Sequence, residues 1–183
     1  MTTENKEYDF WKVNNFVPHD VCDLLLSYGN WSSATVKKGK LIEKIRECEV
    51  SWIKEDFWKT SFYNIMRDIN DHAFKFDIKG MGDLQLTQYL APAGHFDYHV
   101  DLFNGFNPPN NLQRKLSMSV LLNDVSEFDG GIFEYLIGHE PSQIEMNKGD
   151  VVVFPSYYLH RVTPVTEGKR YSLVAWALGE PLK

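Results

Sequence analysis

His99, Asp101, His160 and Arg170 have the residue types and spacing of a metal centre with an anion clamp beside it. His99 and Asp101 are separated only by Val100, and on an extended strand residues two apart share a face. Fifty-eight residues lie between Asp101 and the second imidazole, His160. Two imidazoles and one carboxylate on one face of a metal leave its opposite face open, the donor set that suits non-haem Fe(II) with oxygen and a chelating co-substrate. Arg170 stands ten residues past His160 and shares strand parity with Ser172. A guanidinium fork beside a hydroxyl suits a carboxylate. Asp97 also lies two residues from His99 and is the rival carboxylate by parity alone.

His-x-Asp, a distant His and Arg-x-Ser ten residues later resemble the Fe(II)/2-oxoglutarate-dependent dioxygenases, in their prolyl 4-hydroxylase-like branch. Three stretches carry the likeness. One runs from Tyr89 through Gly94 and Phe96 to Asp101. The second takes in Arg114 to Ser117, Leu121 to Asp124 and Phe128 to Gly131. The third goes from Gly149 through Phe154, Pro155 and Ser156 to His160 and on to Trp176. Together they cover roughly residues 84 to 179.

The resemblance implies His99, Asp101 and His160 as catalytic metal ligands, with the carboxylate taken as Asp101 because the family's acid follows its histidine. It implies Fe(II), 2-oxoglutarate and O2, with ascorbate as reductant, and Arg170, Ser172 and Tyr89 around the co-substrate. The reaction implied is hydroxylation of an unactivated C–H bond with release of succinate and CO2, first on a prolyl residue of a protein or peptide. A free amino acid, a small metabolite or a nucleic acid is the alternative substrate, and a non-catalytic barrel that binds a metal or ligand is the alternative of another class. One position departs from the pattern: Leu121 stands where close prolyl hydroxylases often carry a tyrosine that helps hold the co-substrate's distal carboxylate.

Elements must position these residues. From Leu84 onward the period is two: Leu84, Leu86 and Leu90 alternate with Gln85, Thr87 and Tyr89, and Leu116, Met118, Val120 and Leu122 with Lys115, Ser117, Ser119 and Leu121. The aliphatic faces are expected to pack on helices and the polar faces to line a cavity. Val151 to Phe154 and Leu173 to Ala177 are apolar on both faces, as central strands require. Upstream, a helix is expected from Pro18 to a stop at Gly29, with Val21, Leu24, Leu25 and Tyr28 as its stripe. A half-buried strand is read at Cys48, Val50 and Trp52. A long helix over 55–76 carries Trp58, Phe62, Ile65, Ile69 and Ala73 inward, and Gly80 and Gly82 close the helical part. The fold class expected is α+β, mainly β: a double-stranded β-helix, the jelly-roll or cupin-like barrel that the resemblance implies, with N-terminal helices packed on one sheet. Residues 1–183 are expected to form one dioxygenase domain, helical to about residue 82 and barrel from about 84 to 179.

Between Leu102 and Gln113 a Gly- and Pro-containing loop follows the ligand pair directly, so Phe103 and Phe106 are candidates to cover a substrate. Asp129-Gly130-Gly131 reads as a structural turn. The remaining histidines, His19, His72, His95 and His139, are taken as structural or exposed.

Composition narrows the partners. A formal net charge of −6 disfavours nucleic acid, which draws on Lys and Arg clusters. The densest basic run, Lys37-Lys38-Gly39-Lys40, is read as a solvated turn. Cys22 and Cys48 form no metal spacing; one disulfide or two buried thiols remain open. A polar N-terminus and the lack of a membrane-length apolar stretch suggest a soluble, cytoplasmic protein acting on a peptide, protein or small molecule.

Overall fold

The computed structural model describes residues 9–34, 45–102 and 112–181. Along the chain these form β1 (Trp11–Val13), α1 (His19–Leu26), β2 (Ser32–Ser33), β3 (Arg46–Glu47), β4 (Glu49–Ile53), α2 (Asp56–His72), β5 (Ile78–Met81), β6 (Leu84–Leu90), β7 (His95–His99), β8 (Gln113–Leu121), β9 (Phe128–Gly130), β10 (Phe133–Leu136), β11 (Pro141–Ile144), β12 (Val151–Pro155), β13 (Leu159–Val162) and β14 (Val165–Gly179).

Two antiparallel sheets result. The major sheet runs β1-β12-β8-β14-β6-β4-β2, with β5 and β9 also paired to β14; the minor sheet runs β11-β10-β13-β7-β3. From β6 onward the chain shuttles between them: β6 major, β7 minor, β8 major, β10 and β11 minor, β12 major, β13 minor, β14 major. That alternation is a double-stranded β-helix.

Strand parity divides the core in two, as the sequence pattern predicts. Leu84, Leu86, Leu116, Met118, Val120, Leu122, Leu173 and Ala175 turn outward from the major sheet and meet Cys22 and Leu25 of α1 and Phe62, Met66 and Ile69 of α2. Between the sheets lies a second cluster that includes Tyr89, Leu121, Phe133, Val152, Phe154 and Val162. Parity also explains β4. Val50 and Trp52 pair with Thr87 and Gln85 and so face the barrel interior, while Ile53 turns to the helices.

Several details of the N-terminal part differ from the sequence expectation. Pro18 is the residue before α1, with extended ψ of 145°, rather than its first turn. Leu24 is half exposed, and Cys22 takes the buried place beside Leu25. Helix α2 stops at His72, because Asn70 captures the backbone of Phe76 through both amide atoms, at 2.8 and 2.9 Å. Gly80 lies inside β5, which pairs with the end of β14. The N-terminal part is therefore not purely helical: β1 and β2–β5 extend both sheets. Likewise Phe128–Gly130 is a short strand on β14.

Candidate metal and co-substrate site

The turn after β6 delivers the first ligand. Gly94 N–H donates to Leu90 O at 2.7 Å, and a Cβ at Gly94 would fall 2.4 Å from Leu90 N, so only glycine lets the chain fold back so tightly into β7. Strand β7 then carries a bulge. His160 pairs with His99, yet Val162 pairs with Phe96, so three residues of β7 span two of β13. The extra residue puts Phe96 on the same face as His99, and their rings stack at 3.4 Å and 9°. It also removes Asp97 from contention: that residue is exposed, and its backbone carbonyl rather than its carboxylate meets His99.

His99, Asp101 and His160 converge, one ligand atom from each lying within 4.8 Å of the others. His99 Nε2 is 3.6 Å from Asp101 Oδ1, and His160 Nε2 is 3.6 Å from Asp101 Oδ2. Both imidazoles are oriented by backbone: His99 Nδ1 lies 2.7 Å from Asp97 O and His160 Nδ1 2.9 Å from Tyr158 O. An N–H at each Nδ1 leaves Nε2 as the free lone pair aimed at the shared centre. Burial, reinforced by His160, lowers the His99 pKa to about 4, so its ring is neutral at pH 7. Burial pushes the Asp101 carboxyl up, but His160, His99 and Arg114 outweigh it and hold the group ionised below the usual aspartate value. Two imidazoles with Nε2 turned inward and an ionised carboxylate fit a divalent metal.

Buried partners that sequence reasoning did not single out support this set. Ser117 Oγ donates to Asp101 Oδ2 at 2.7 Å and lies 2.9 Å from Ser156 Oγ, and both serines are fully buried. Phe133 and Phe154 close around the His160 ring. On the opposite face of the minor sheet, buried Glu134 accepts from Arg161 Nε at 2.6 Å, Gln143 Nε2 at 3.0 Å and Tyr98 OH at 3.3 Å, tying four strands together behind the ligands. The inward parity of Ser117 was visible in the sequence; the bulge and the Glu134 network were not.

Arg170 is 2% exposed, and its Nη1 is buried without a hydrogen-bond partner among the described residues. Neither Glu167 nor Glu180 pairs with it; Glu180 instead accepts from Lys79 at 2.8 Å. A buried guanidinium N–H left unpaired is costly, and a carboxylate is the group whose geometry would satisfy it. Tyr89 stands directly across from Arg170 on β6, its ring 5.7 Å from the guanidinium carbon. Burial raises the Tyr89 pKa, so its hydroxyl keeps its proton and can donate. Ser172 pairs with Thr87 and Leu121, and it joins Tyr89, Gln85 and the three convergent ligands in lining a cavity of about 450 Å³. Leu121 is buried in the inter-sheet cluster, so no hydroxyl comes from that position. Phe103 and Phe106 lie outside the described residues. His95 stays off the centre, its Nδ1 2.7 Å from Ala93 O, and Cys22 and Cys48 are free thiols.

Fold and site together define a double-stranded β-helix barrel with a convergent His-Asp-His cluster inside it. Residues 84–178 match the 2OG-Fe(II) oxygenase superfamily, and the chain belongs to that family. A PKHD-type hydroxylase of Pseudomonas putida is 34% identical over 93 residues, which is 50% of this chain and 41% of that protein. The chain thus spans less than half the length of that relative in the matched region. A crystal structure of a Pseudomonas putida prolyl-4-hydroxylase superposes with a TM-score of 0.73 at 20% identity, over 95% of this chain and 94% of the other. A Trichoplax adhaerens prolyl hydroxylase in complex with a hypoxia inducible factor peptide fragment gives 0.71 at 19% identity, covering 94% and 84%. The fold is that of the prolyl hydroxylases. Among the described residues no helix is long and apolar enough to cross a membrane.

Proposed function

We propose that this chain is an Fe(II)- and 2-oxoglutarate-dependent hydroxylase, with His99, Asp101 and His160 holding the metal and Arg170, Ser172 and Tyr89 holding the co-substrate. The observation that carries the reading is the pairing, in the same barrel, of a convergent His-Asp-His cluster with a buried arginine whose Nη1 has no hydrogen-bond partner among the described residues. When bound, Fe(II) and 2-oxoglutarate supply oxygen activation for C–H hydroxylation, with succinate and CO2 as co-products.

The chain's own residues bind, orient and exclude water. Asp97 O and Tyr158 O fix the two imidazoles, and Ser117 fixes the carboxylate that lies between them. Arg170 supplies a charge-assisted fork for the distal carboxylate, with hydroxyls from Ser172 and Tyr89 beside it. Phe96, Phe133 and Phe154 keep the ligand side of the cavity apolar. Prolyl residues of a peptide or protein are the proposed substrate, supported by the prolyl hydroxylase fold and by the peptide bound to one such neighbour. We assign ascorbate as reductant and residues 1–183 as one domain on the same likeness.

Oxygen-dependent conversion of 2-oxoglutarate to succinate by the Fe(II)-loaded protein tests the reading. Loss of that conversion in His160→Ala, with labelled oxygen entering a prolyl peptide in the wild type, is the expected result. Metal binding without any succinate formation would leave a non-catalytic barrel instead.

A further inference from the structure

Arg46 lines the cavity of the three ligands from the N-terminal part of the chain. Arg46 belongs to β3, where it pairs with Phe96 of β7. Its guanidinium carbon sits 4.6 Å from the Phe96 ring centroid, and Phe96 in turn stacks on His99, so Arg46, Phe96 and His99 form one column ending at the metal cluster. Arg46 Nε donates to Cys48 Sγ at 2.9 Å, which fixes the fork. Its Nη2 is buried with no partner, and among the described residues no carboxylate forms an ion pair with it. Arg114 lines the same cavity, 3.6 Å over the Trp176 ring. Burial lowers the Arg114 pKa; Asp101 opposes that shift and Arg46 adds to it, so the two guanidiniums repel one another.

Charge balance argues the point further. A divalent metal, ionised Asp101, the two carboxylates of 2-oxoglutarate and Arg170 sum to zero formal charge. Arg46, like Arg114, brings a positive charge to the cavity beyond that balance. A cation held in such a place with an unsatisfied N–H is expensive unless an anion arrives with the ligand. The co-substrate's distal carboxylate already has Arg170, so the anion for Arg46 belongs to the other reactant.

Resting on the function proposed above, we infer that Arg46 is a specificity residue that receives a carboxylate of the substrate. The substrate class is a prolyl compound with a free carboxylate, either a small acid or the C-terminus of a peptide. An internal prolyl residue offers no such group. The planar fork matches a carboxylate edge-on, and the stack on Phe96 sets its distance from the His99 side of the metal.

Calorimetry on the Fe(II) protein saturated with 2-oxoglutarate under anaerobic conditions tests this without turnover. The probes are N-acetyl-L-proline, the tripeptide Ala-Ala-Pro, and the C-terminal amide of each. Wild type should bind at least one of the two acids tenfold or more tighter than its amide, and the tighter acid identifies the source. Arg46→Gln should remove the difference while leaving 2-oxoglutarate affinity and Tm near wild type, and Arg46→Lys should keep part of it. Equal affinity for acids and amides in the wild type, absence of binding by all four included, would overturn the inference. So would a preference that survives in Arg46→Gln, or a loss of 2-oxoglutarate affinity there as large as in Arg170→Ala. Binding of 2-oxoglutarate to the wild-type Fe(II) protein, measured first, tests the underlying reading separately.

Discussion

Ser117 Oγ donates to Asp101 Oδ2 at 2.7 Å inside a fully buried pair of serines, so the orientation of the acidic ligand is set from β8, not from its own strand. Asp101 lies just past the end of β7, where no ladder holds it. Ser117→Ala should therefore weaken metal affinity about 10- to 100-fold, the usual cost of losing a buried partner of a ligand. Calorimetric titration with Fe(II) or Mn(II) reads this directly. Unchanged affinity would mean that the two histidines alone align the carboxylate.

His99→Ala and His160→Ala should each abolish stoichiometric iron binding while far-UV circular dichroism stays that of the wild type. The two rings lie on neighbouring strands of the minor sheet, and the helix-facing core does not include them. Iron content by metal analysis after anaerobic loading decides the matter. Wild-type stoichiometry in either variant would remove that residue from the ligand set.

Arg170→Ala should raise the KM for 2-oxoglutarate about 10- to 100-fold, since a charge-assisted hydrogen bond contributes about 1.5–3 kcal/mol. Metal affinity should stay near wild type, because no described contact links Arg170 to the three ligands. Ser172→Ala should cost less, its hydroxyl being a neutral partner. A normal co-substrate KM in Arg170→Ala would place the clamp elsewhere.

Glu134 sits behind the ligand sheet with three donors on it. Burial works to raise its pKa, but Gln143, Arg161 and Tyr98 outweigh that and hold it below the ordinary glutamate value. A depressed pKa stabilises the fold above the unfolded-state value, and that contribution fades as pH falls through the folded-state value. Glu134→Gln should thus lower stability by about 1–3 kcal/mol at pH 7. The gap from wild type should narrow below about pH 4. Thermal melts of both proteins from pH 3 to 8 check the sign; a gap that widens in acid would contradict it.

What the sequence disclosed follows from physical locality. Period-two alternation from Leu84 to Leu122 fixed which faces meet helices and which meet the cavity, because that parity survives in β6 and β8. His99 and Asp101 came out together on the same arithmetic, although the strand ends between them. The arithmetic alone could not dismiss Asp97; a bulge opposite His160 and Val162 did, and bulges arise from pairing between distant segments. Arg46 and Glu134 stayed hidden for the same reason. Arg46 reaches the site through Phe96 and Glu134 through Arg161 and Tyr98, all distant in sequence, and neither has a local spacing that signals it.

The final prediction concerns Gly131, a residue with no polar group that nonetheless bears on the co-substrate. It adopts φ +59°, and a Cβ built there would lie 2.7 Å from Arg170 Cδ and 3.0 Å from Val165 Cγ2. Arg170 is fully enclosed, so its aliphatic stem has little room to retreat. Gly131→Ala therefore combines backbone strain with a push on the arginine. Moving a bidentate fork by a few tenths of an ångström lengthens both hydrogen bonds to its anion. The variant should raise the 2-oxoglutarate KM about tenfold, with metal affinity unchanged and Tm lowered by several degrees. A control at Gly138, which has a similar positive φ but nothing within 4 Å of an added Cβ, isolates the strain from the push. If Gly138→Ala and Gly131→Ala lower Tm alike and neither moves the KM, Arg170 has more freedom than its packing indicates.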